Sequence, residues 1–222
     1  MSLDTIKPYY QDASCTIYHG DCREILPTLG KVDLLLTDPP YGIGADKNVR
    51  ANIQGGKAVA PSKDYGIGNW DSKPPPIWLL DAARDHATIS ILWGGNFYGL
   101  PASPCWLVWD KDNGDNTYAD CELAWTNMTR AVRKFKWKWH GMLQEQMGDK
   151  KEFRVHPTQK PVALMRWCLS LVPDAETILD PFAGSCTTGV AAKLEGRKSV
   201  LIEISESYCE AGAKRLSQGV LF

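Results

Sequence analysis

Thr177-Ile178-Leu179-Asp180-Pro181-Phe182-Ala183-Gly184-Ser185-Cys186-Thr187-Thr188-Gly189, followed further on by Ser199-Val200-Leu201-Ile202-Glu203, decides the fold. A short apolar run, a glycine-bearing turn, a helix expected from Thr188 to Glu195 with Gly196 as its stop, and a second apolar run make a βαβ unit. An acid closes each strand, and in such units the acid ending the second strand, here Glu203, binds a ribose diol. The turn is not GxGxxG, so a dinucleotide pyrophosphate has no cradle. Gly184 and Gly189 have P-loop spacing, but Val190 stands where the lysine would be, which argues against a triphosphate. Asp180 would repel phosphate and welcome the ammonium of an amino acid. A ligand with an amino acid, a ribose and an adenine but no phosphate is S-adenosylmethionine.

A second strand lies upstream, in Val32-Asp33-Leu34-Leu35-Leu36, an apolar run expected in a buried parallel sheet. It runs into Thr37-Asp38-Pro39-Pro40-Tyr41. The residue before a proline is pushed to extended geometry, and neither proline carries an N–H, so no helix starts here. A stiff loop at the carboxyl end of a strand sits where open α/β sheets bind ligands. Its groups suit an amine on a flat ring: the Asp38 carboxylate and the Pro39 carbonyl each accept one amine hydrogen, and Tyr41 stacks on the ring. On these five residues alone, a plain strand end with a tight proline turn is the competing reading.

The chain has 222 residues, a net charge of −1 and 44% hydrophobic residues. One domain with a substantial core is expected, and neither disorder nor a globally basic nucleic-acid binder. Seven scattered cysteines without a CxxC pair, and four histidines, give no zinc spacing. No metal is expected. Residues 1–11 lack a signal-peptide pattern and no apolar run approaches the roughly 20 residues of a membrane span. A soluble, cytoplasmic protein with reduced thiols is the expectation.

In chain order, Cys15 to Tyr18 reads as a strand ending in Gly20-Asp21-Cys22, and Arg23 to Leu29 as a short helix. Residues 42–76 are rich in Gly, Lys, Asn and Pro; Lys47, Arg50, Lys57 and Lys63 there suit a lid over a phosphate backbone, and a disordered excursion reads the same way. Ile77 to Asp85 is an expected helix. Ala87 to Trp93, Cys105 to Trp109 and Cys121 to Trp125 are expected strands, with a turn at Asp112-Asn113-Gly114. From Lys134 to Trp139 basic and aromatic residues alternate, which on a strand separates them onto two faces. Arg133, Lys134, Lys136 and Lys138 then form either a cationic strip for a nucleic-acid backbone or an ordinary solvated face. Gln144, Gln146 and Lys151 follow in a polar, irregular stretch. His156-Pro157-Thr158-Gln159-Lys160-Pro161 opens a helix, Val162 to Leu171, whose free N–H groups attract anions.

Taken in order, these pieces resemble the amino-group DNA methyltransferases that act on adenine N6 or cytosine N4, in the circularly ordered subgroup whose catalytic loop precedes the cofactor turn. The resemblance covers nearly the whole chain; from Arg130 to Phe135 onward it extends to small methyltransferases of phages and prophages. It implies an α/β, Rossmann-like S-adenosylmethionine-dependent methyltransferase fold with a mostly parallel seven-stranded sheet and an antiparallel strand. One domain over residues 1–222 is implied, with a mobile loop at about 43–76 and a short target-recognition insertion at about 126–155.

Carried over residue by residue, Asp38, Pro39, Pro40 and Tyr41 resemble the catalytic loop, with Asp38 also beside the cofactor. Asp21 and Cys22 resemble the segment at the cofactor's adenine. His156, Thr158 and Lys160 lie in the segment near its methionine end. Asp180, Phe182, Ala183, Gly184, Ser185, Cys186 and Thr187 form the main cofactor turn, and Glu203 is the ribose acid. Ile204 through Tyr208 to Arg215 resembles the helix that follows. The family usually has glycine where Cys186 stands, so this side chain is expected beside the methionine moiety.

The resemblance also implies double-stranded DNA as partner, a flipped target base, two-fold pairing into a homodimer, and a setting of restriction–modification or phage DNA methylation. Asp38 at the head of the loop favours adenine, since the cytosine-N4 branch more often has serine there. Cytosine N4, an RNA or protein amine, and a non-catalytic DNA-binding regulator are the competing readings.

Overall fold

The computed structural model describes residues 6–44, 71–114, 119–140, 143–156 and 158–218. Eleven strands are seen among them: β1 (Tyr10–Gln11), β2 (Cys15–His19), β3 (Val32–Thr37), β4 (Ala87–Trp93), β5 (Trp106–Asp110), β6 (Cys121–Thr126), β7 (Arg133–Lys136), β8 (Trp139–His140), β9 (Leu143–Gln144), β10 (Thr177–Asp180) and β11 (Lys198–Glu203). The helices are α1 (Cys22–Ile25), α2 (Ile77–Asp85), α3 (Val162–Ser170), α4 (Thr187–Leu194) and α5 (Glu206–Ser217). Nine strands form one sheet in the order β1-β2-β11-β10-β3-β4-β6-β5-β7, and β8 pairs with β9 apart from it.

The sheet is wider than the seven strands expected. Both additions are at its edges. Asp12 folds β1 back onto β2, its carboxylate accepting from the Ser14 and Cys15 amides at 2.8 and 2.7 Å. At the other edge β7 joins β5 in parallel. Two strands oppose the rest rather than one: β6, antiparallel to both β4 and β5, and β1.

Leu34, Leu35 and Leu36 of β3 are all fully buried, and they alternate between two clusters. Leu34 and Leu36 meet Leu164, Leu169 and Ala191 of α3 and α4. Leu35 meets Ile25, Leu79 and Leu80 of α1 and α2. A strand apolar at every position is thus one covered on both faces. A third cluster seats α5 against Ile17 and Leu201 through Cys209 and Leu216.

The helix expected from Arg23 to Leu29 is one α-turn that tightens to a 3-10 turn at Leu26–Thr28, because Pro27 supplies no N–H to continue it. The alternating segment Lys134 to Trp139 is not one strand. β7 ends at Lys136, and the Trp109 indole N–H binds the Trp137 carbonyl at 2.9 Å, drawing that carbonyl to a side chain. The two faces persist all the same. Phe135 stacks between Trp137 and Trp167 at 5.8 and 5.1 Å, while Lys134 and Lys136 point outward. Among the described residues no helix is long and apolar enough to cross a membrane. Most of the loop expected at 43–76 lies outside the described residues.

Candidate active site

The carboxyl ends of β2, β3, β10 and β11 converge on one cavity of about 610 Å³, within the roughly 300–1,000 Å³ usual for small-molecule sites. Asp180 ends β10 at 3% exposure. It accepts from the Thr37 hydroxyl at 2.7 Å and the Phe182 amide at 3.1 Å. Glu203 ends β11 and accepts from the Gly184 amide at 2.7 Å and the Ser205 amide at 2.8 Å. Gly184 itself takes φ +50°, a conformation glycine adopts at little cost. These partners are neutral, so burial dominates and raises both acids, Asp180 to about 6 and Glu203 to about 7. Two buried carboxylates facing one cavity suit a ligand that brings an ammonium and a diol, as S-adenosylmethionine does.

Of the residues expected to hold that cofactor, Asp21, Cys22, Asp38, His156, Thr158, Lys160, Asp180, Phe182, Ala183, Gly184, Ser185, Thr187 and Glu203 all line the cavity. Asp21 caps α1 and grips Arg23 at the rim. His156 is pushed down to about 3 by burial, with Lys160 and Arg154 adding to the effect, and its ring meets Tyr208 edge-on at 4.4 Å. It is a neutral wall of the site. Tyr208 on α5 also lines the cavity, and Arg215 braces the turn from behind by binding the Ser185 carbonyl and the Thr187 hydroxyl.

Cys186 is the exception. It takes φ +58° at the N-terminus of α4, which turns its side chain away from the cavity into the cluster with Ile17, Leu201 and Leu216. A Cβ on Gly212 would collide with its sulfur. The expectation of a side chain beside the methionine moiety is therefore corrected: the left-handed backbone aims it at α5.

The loop Asp38–Tyr41 adjoins this cavity, with Asp38 and Pro40 on its wall. Pro39 and Tyr41 lie outside it. Asp38 accepts from the Tyr41 hydroxyl at 2.7 Å and from the Lys160 ammonium at 2.6 Å. Lys160, expected at the methionine end, lines the cavity and also reaches this loop. The Pro39 carbonyl accepts from the Tyr98 hydroxyl at 2.8 Å. The Tyr41 ring stacks on Phe97 at 4.9 Å and 17°, and lies so close to Gly94 that any side chain there would strike it.

Behind the loop stands Glu122 of β6, which pairs with Lys160 at 3.1 Å and also with Lys111. Burial would raise Glu122, but the two lysines outweigh it and hold the group at about 2. Asp38, sharing one lysine and facing Glu122, is raised by burial. Lys160 is raised: burial opposes its charge, and the two carboxylates prevail. Glu122, Lys111, Phe97 and Tyr98 were not anticipated from sequence. The signal for Glu122 was there, an acid within the apolar run Cys121 to Trp125. For Tyr98 the only hint was its place just beyond the end of β4.

The proposed cationic strip is less bare than its sequence. Lys134 pairs with Asp110 at 3.2 Å, and Asp112 takes Lys136 at 2.9 Å and Lys138 at 3.3 Å. Arg133 is exposed, its guanidinium on the Val132 carbonyl. Lys47 and Arg50 lie outside the described residues, as do Lys57 and Lys63.

The family model described as "DNA methylase", for N6/N4 methyltransferases, matches residues 106–214. The DNA adenine methyltransferase YhdJ of Escherichia coli (strain K12) is 48% identical over 245 residues, covering 90% of this chain and 82% of its own length. The Type II methyltransferase M2.LlaDCHI of Lactococcus lactis subsp. cremoris is 25% identical over 97% of this chain and 94% of its own. Among solved structures, the cytosine-N4-specific PvuII DNA methyltransferase superposes with a TM-score of 0.60 at 18% identity, over 98% of this chain and 92% of that one. The M1.HpyAVI–SAM complex gives 0.54 at 24%, over 91% and 99%. With identity of that order to one relative across most of both chains, and the donor set of the cavity matching the cofactor, this chain belongs to the N6/N4 family of S-adenosylmethionine-dependent DNA amino-methyltransferases.

Proposed function

We propose that this chain methylates the N6 amine of adenine in double-stranded DNA, with the base turned out of the helix to reach the cavity. The observation that carries this is the placement of the Asp38 carboxylate on the wall of the cofactor cavity, at the end of β3. When bound, S-adenosylmethionine supplies an electrophilic methyl whose departing sulfur takes the bonding electron pair.

The chain's own residues do the rest. Asp180 receives the ammonium of the amino-acid moiety, Glu203 the ribose diol, and Asp21 and Cys22 border the adenine. His156 and Thr158 close the methionine end, while Phe182 to Ser185 and Thr187 shape the turn around it. Asp38 and the Pro39 carbonyl each accept one hydrogen of the target amine; a carbonyl has two lone pairs, and the Tyr98 hydroxyl uses one. Pro40 keeps the loop stiff. Tyr41 and Phe97, already stacked, give a flipped base an aromatic wall and offset part of the few kcal/mol that flipping costs. Alignment of nitrogen and methyl supplies roughly 7–11 kcal/mol of the barrier reduction. The amine becomes acidic only on methylation, and its surplus proton then leaves toward Asp38. Arg133, Lys134, Lys136 and Lys138 meet DNA phosphates, which must compete with Asp110 and Asp112 for the three lysines.

Adenine is preferred on two grounds: Asp38 heads the loop, and the 48%-identical relative bears the name of a DNA adenine methyltransferase. The test is tritiated methyl transfer to unmethylated duplex DNA by wild type and Asp38→Ala, followed by nucleoside analysis. Label in N6-methyladenine that disappears in the variant is expected. Label in N4-methylcytosine would overturn the choice of base, and an undiminished Asp38→Ala would overturn the role of the loop.

A further inference from the structure

The Lys160 side chain is 6% exposed, and its ammonium has three acceptors around it: Asp38 Oδ2 at 2.6 Å, Glu122 Oε2 at 3.1 Å and the Tyr41 hydroxyl at 3.1 Å. An ammonium has three hydrogens to donate, so the set is complete. The Tyr41 hydroxyl has two acceptors in reach, Asp38 Oδ1 at 2.7 Å and Glu122 Oε2 at 3.1 Å, and its one hydrogen goes to the nearer, Asp38. Both oxygens of Asp38 are thereby held, one by each partner, which fixes the carboxylate plane. A carboxylate offers about four lone-pair sites, so a target amine still finds an acceptor.

The charge arrangement matters as much as the geometry. Methyl transfer places positive charge on the amine. A lysine this close to Asp38 would by itself oppose that charge. Glu122 cancels it: Asp38, Lys160 and Glu122 together carry one negative charge, and Lys111 sits on the other oxygen of Glu122.

The geometry points to Lys160 and Glu122 as positioning residues of the transfer, Lys160 fixing Asp38 as an oriented anion and Glu122 cancelling the lysine's repulsion of the amine cation. This rests on the reading of Asp38 as the acceptor of the target amine. Lys160 comes from the segment before α3, Glu122 from β6 and Asp38 from the end of β3, so the unit ties three separate parts of the chain together. The other groups around it are Tyr41, whose hydroxyl binds Asp38, and Tyr98 and Asp180, both raised in part by the charge of Asp38. Asp71 acts on Tyr98, and His156 is lowered in part by Lys160. All of them stay in place in the variants below.

The experiment is single-turnover methyl transfer to duplex DNA at saturating cofactor, from about pH 5 to about pH 9, for wild type, Lys160→Met, Lys160→Arg, Glu122→Gln and Asp38→Ala. Activity that needs ionised Asp38 is lost as pH falls through its pKa. Lys160→Met removes the cation that favours that ion, so the acid limb should move to higher pH and the rate fall about 10²-fold. Glu122→Gln removes a repelling anion, so its limb should move to lower pH although the rate falls. Lys160→Arg should restore the wild-type limb.

Two variants that are slow but share the wild-type limb would overturn the inference while leaving Asp38 in its role. An Asp38→Ala protein that keeps its rate would instead overturn the reading beneath it. Thermal stabilisation by S-adenosylhomocysteine checks that each variant is folded. Glu122→Gln keeps shape and an acceptor, so its limb decides the matter even where Lys160→Met unfolds.

Discussion

Asp180 and Glu203 line the cavity at the ends of β10 and β11, and Asp38 lines it beyond the end of β3 with Glu122 behind; all four are carboxylates withdrawn from solvent, yet they are stabilised by different partners. The first two rest on backbone amides and hydroxyls and are raised to about 6 and about 7. The second two share lysines drawn from elsewhere in the chain. Neutral dipoles orient a carboxylate without cancelling its charge, so on the proposed reading the cofactor end is completed by a cationic ligand and the Asp38–Glu122 end takes the base. The base end is already neutral as a set, with Asp38, Glu122, Lys111 and Lys160 balancing. The labour is thus divided: one end gains its stability on binding, and the other is built in advance.

Two alanine variants put that division to the test. In Asp38→Ala the turnover at saturating substrates should fall by about 10²–10⁴-fold, with S-adenosylhomocysteine affinity nearly unchanged. In Glu203→Ala the pattern should invert. A hydrogen bond to a charged group is worth about 1.5–3 kcal/mol, so cofactor affinity should weaken by about 10–100-fold while saturated turnover changes little. Isothermal titration with S-adenosylhomocysteine alongside saturation kinetics reads both. If Asp38→Ala loses cofactor binding as severely as Glu203→Ala does, the two ends are not separate.

The same division explains which parts were legible in the sequence. The cofactor end takes both its acids and its turn from one βαβ unit, Thr177 to Glu203, while Asp21, Cys22, His156 and Thr158 reach the cavity from elsewhere and Thr37 donates to Asp180. Contiguous residues carry their geometry in local pattern: an apolar run, a glycine turn, an acid at a strand end. Seven of the residues expected in that unit, Asp180, Phe182, Ala183, Gly184, Ser185, Thr187 and Glu203, line the cavity. The base end draws on β3, the turn after β4, β6 and the segment before α3. Asp38 and Tyr41 stood out because two prolines mark them. Glu122, Phe97 and Tyr98 reach the site only through the strand order β3-β4-β6, which no local pattern specifies. Lys160 lines the cavity as expected, but its contacts with Asp38 and Glu122 do not follow from sequence, since the direction of a long side chain depends on where the opposite charges lie. Similarly, the sequence marks Asp112 only as part of a turn and gives Asp110 no role, and only the pairing of β5 with β7 brings them to the lysines.

A second test uses pH. Glu203 is raised to about 7 in the folded chain, by burial, from an ordinary value of 4.5. The folded state therefore holds its proton more tightly than the unfolded one. Its contribution to stability is full below about 4.5 and is lost as pH rises through about 7. Glutamine does not titrate, so cofactor-free Glu203→Gln should gain on wild type as pH rises across this window. His156, whose depressed pKa gives the opposite slope, is present in both proteins and cancels from the comparison. Thermal melts at stepped pH read the difference. A constant gap between the two proteins would mean that Glu203 ionises as readily folded as unfolded, and the contrast between the two ends would fail.

A finer contrast lies at Cys186, where the turn of the cofactor end meets α5. Its left-handed backbone costs a residue with a side chain roughly 1–2 kcal/mol that glycine avoids. Its sulfur, fully buried among Ile17, Leu201 and Leu216, recovers about as much through packing. Cys186→Gly should therefore leave stability within about 1 kcal/mol of wild type. Cofactor affinity should not move either, because the side chain faces α5. Gly212→Ala should do more harm, about 1–3 kcal/mol, since its new methyl meets the Cys186 sulfur. Joined with Cys186→Gly, the same alanine has room, so the double variant should recover most of the loss, a coupling that only contacting residues produce. Denaturant melts of the four proteins measure it. A Cys186→Gly protein with altered S-adenosylhomocysteine affinity would put the sulfur back on the ligand's side of the turn. Additive losses in the double variant would separate it from Gly212.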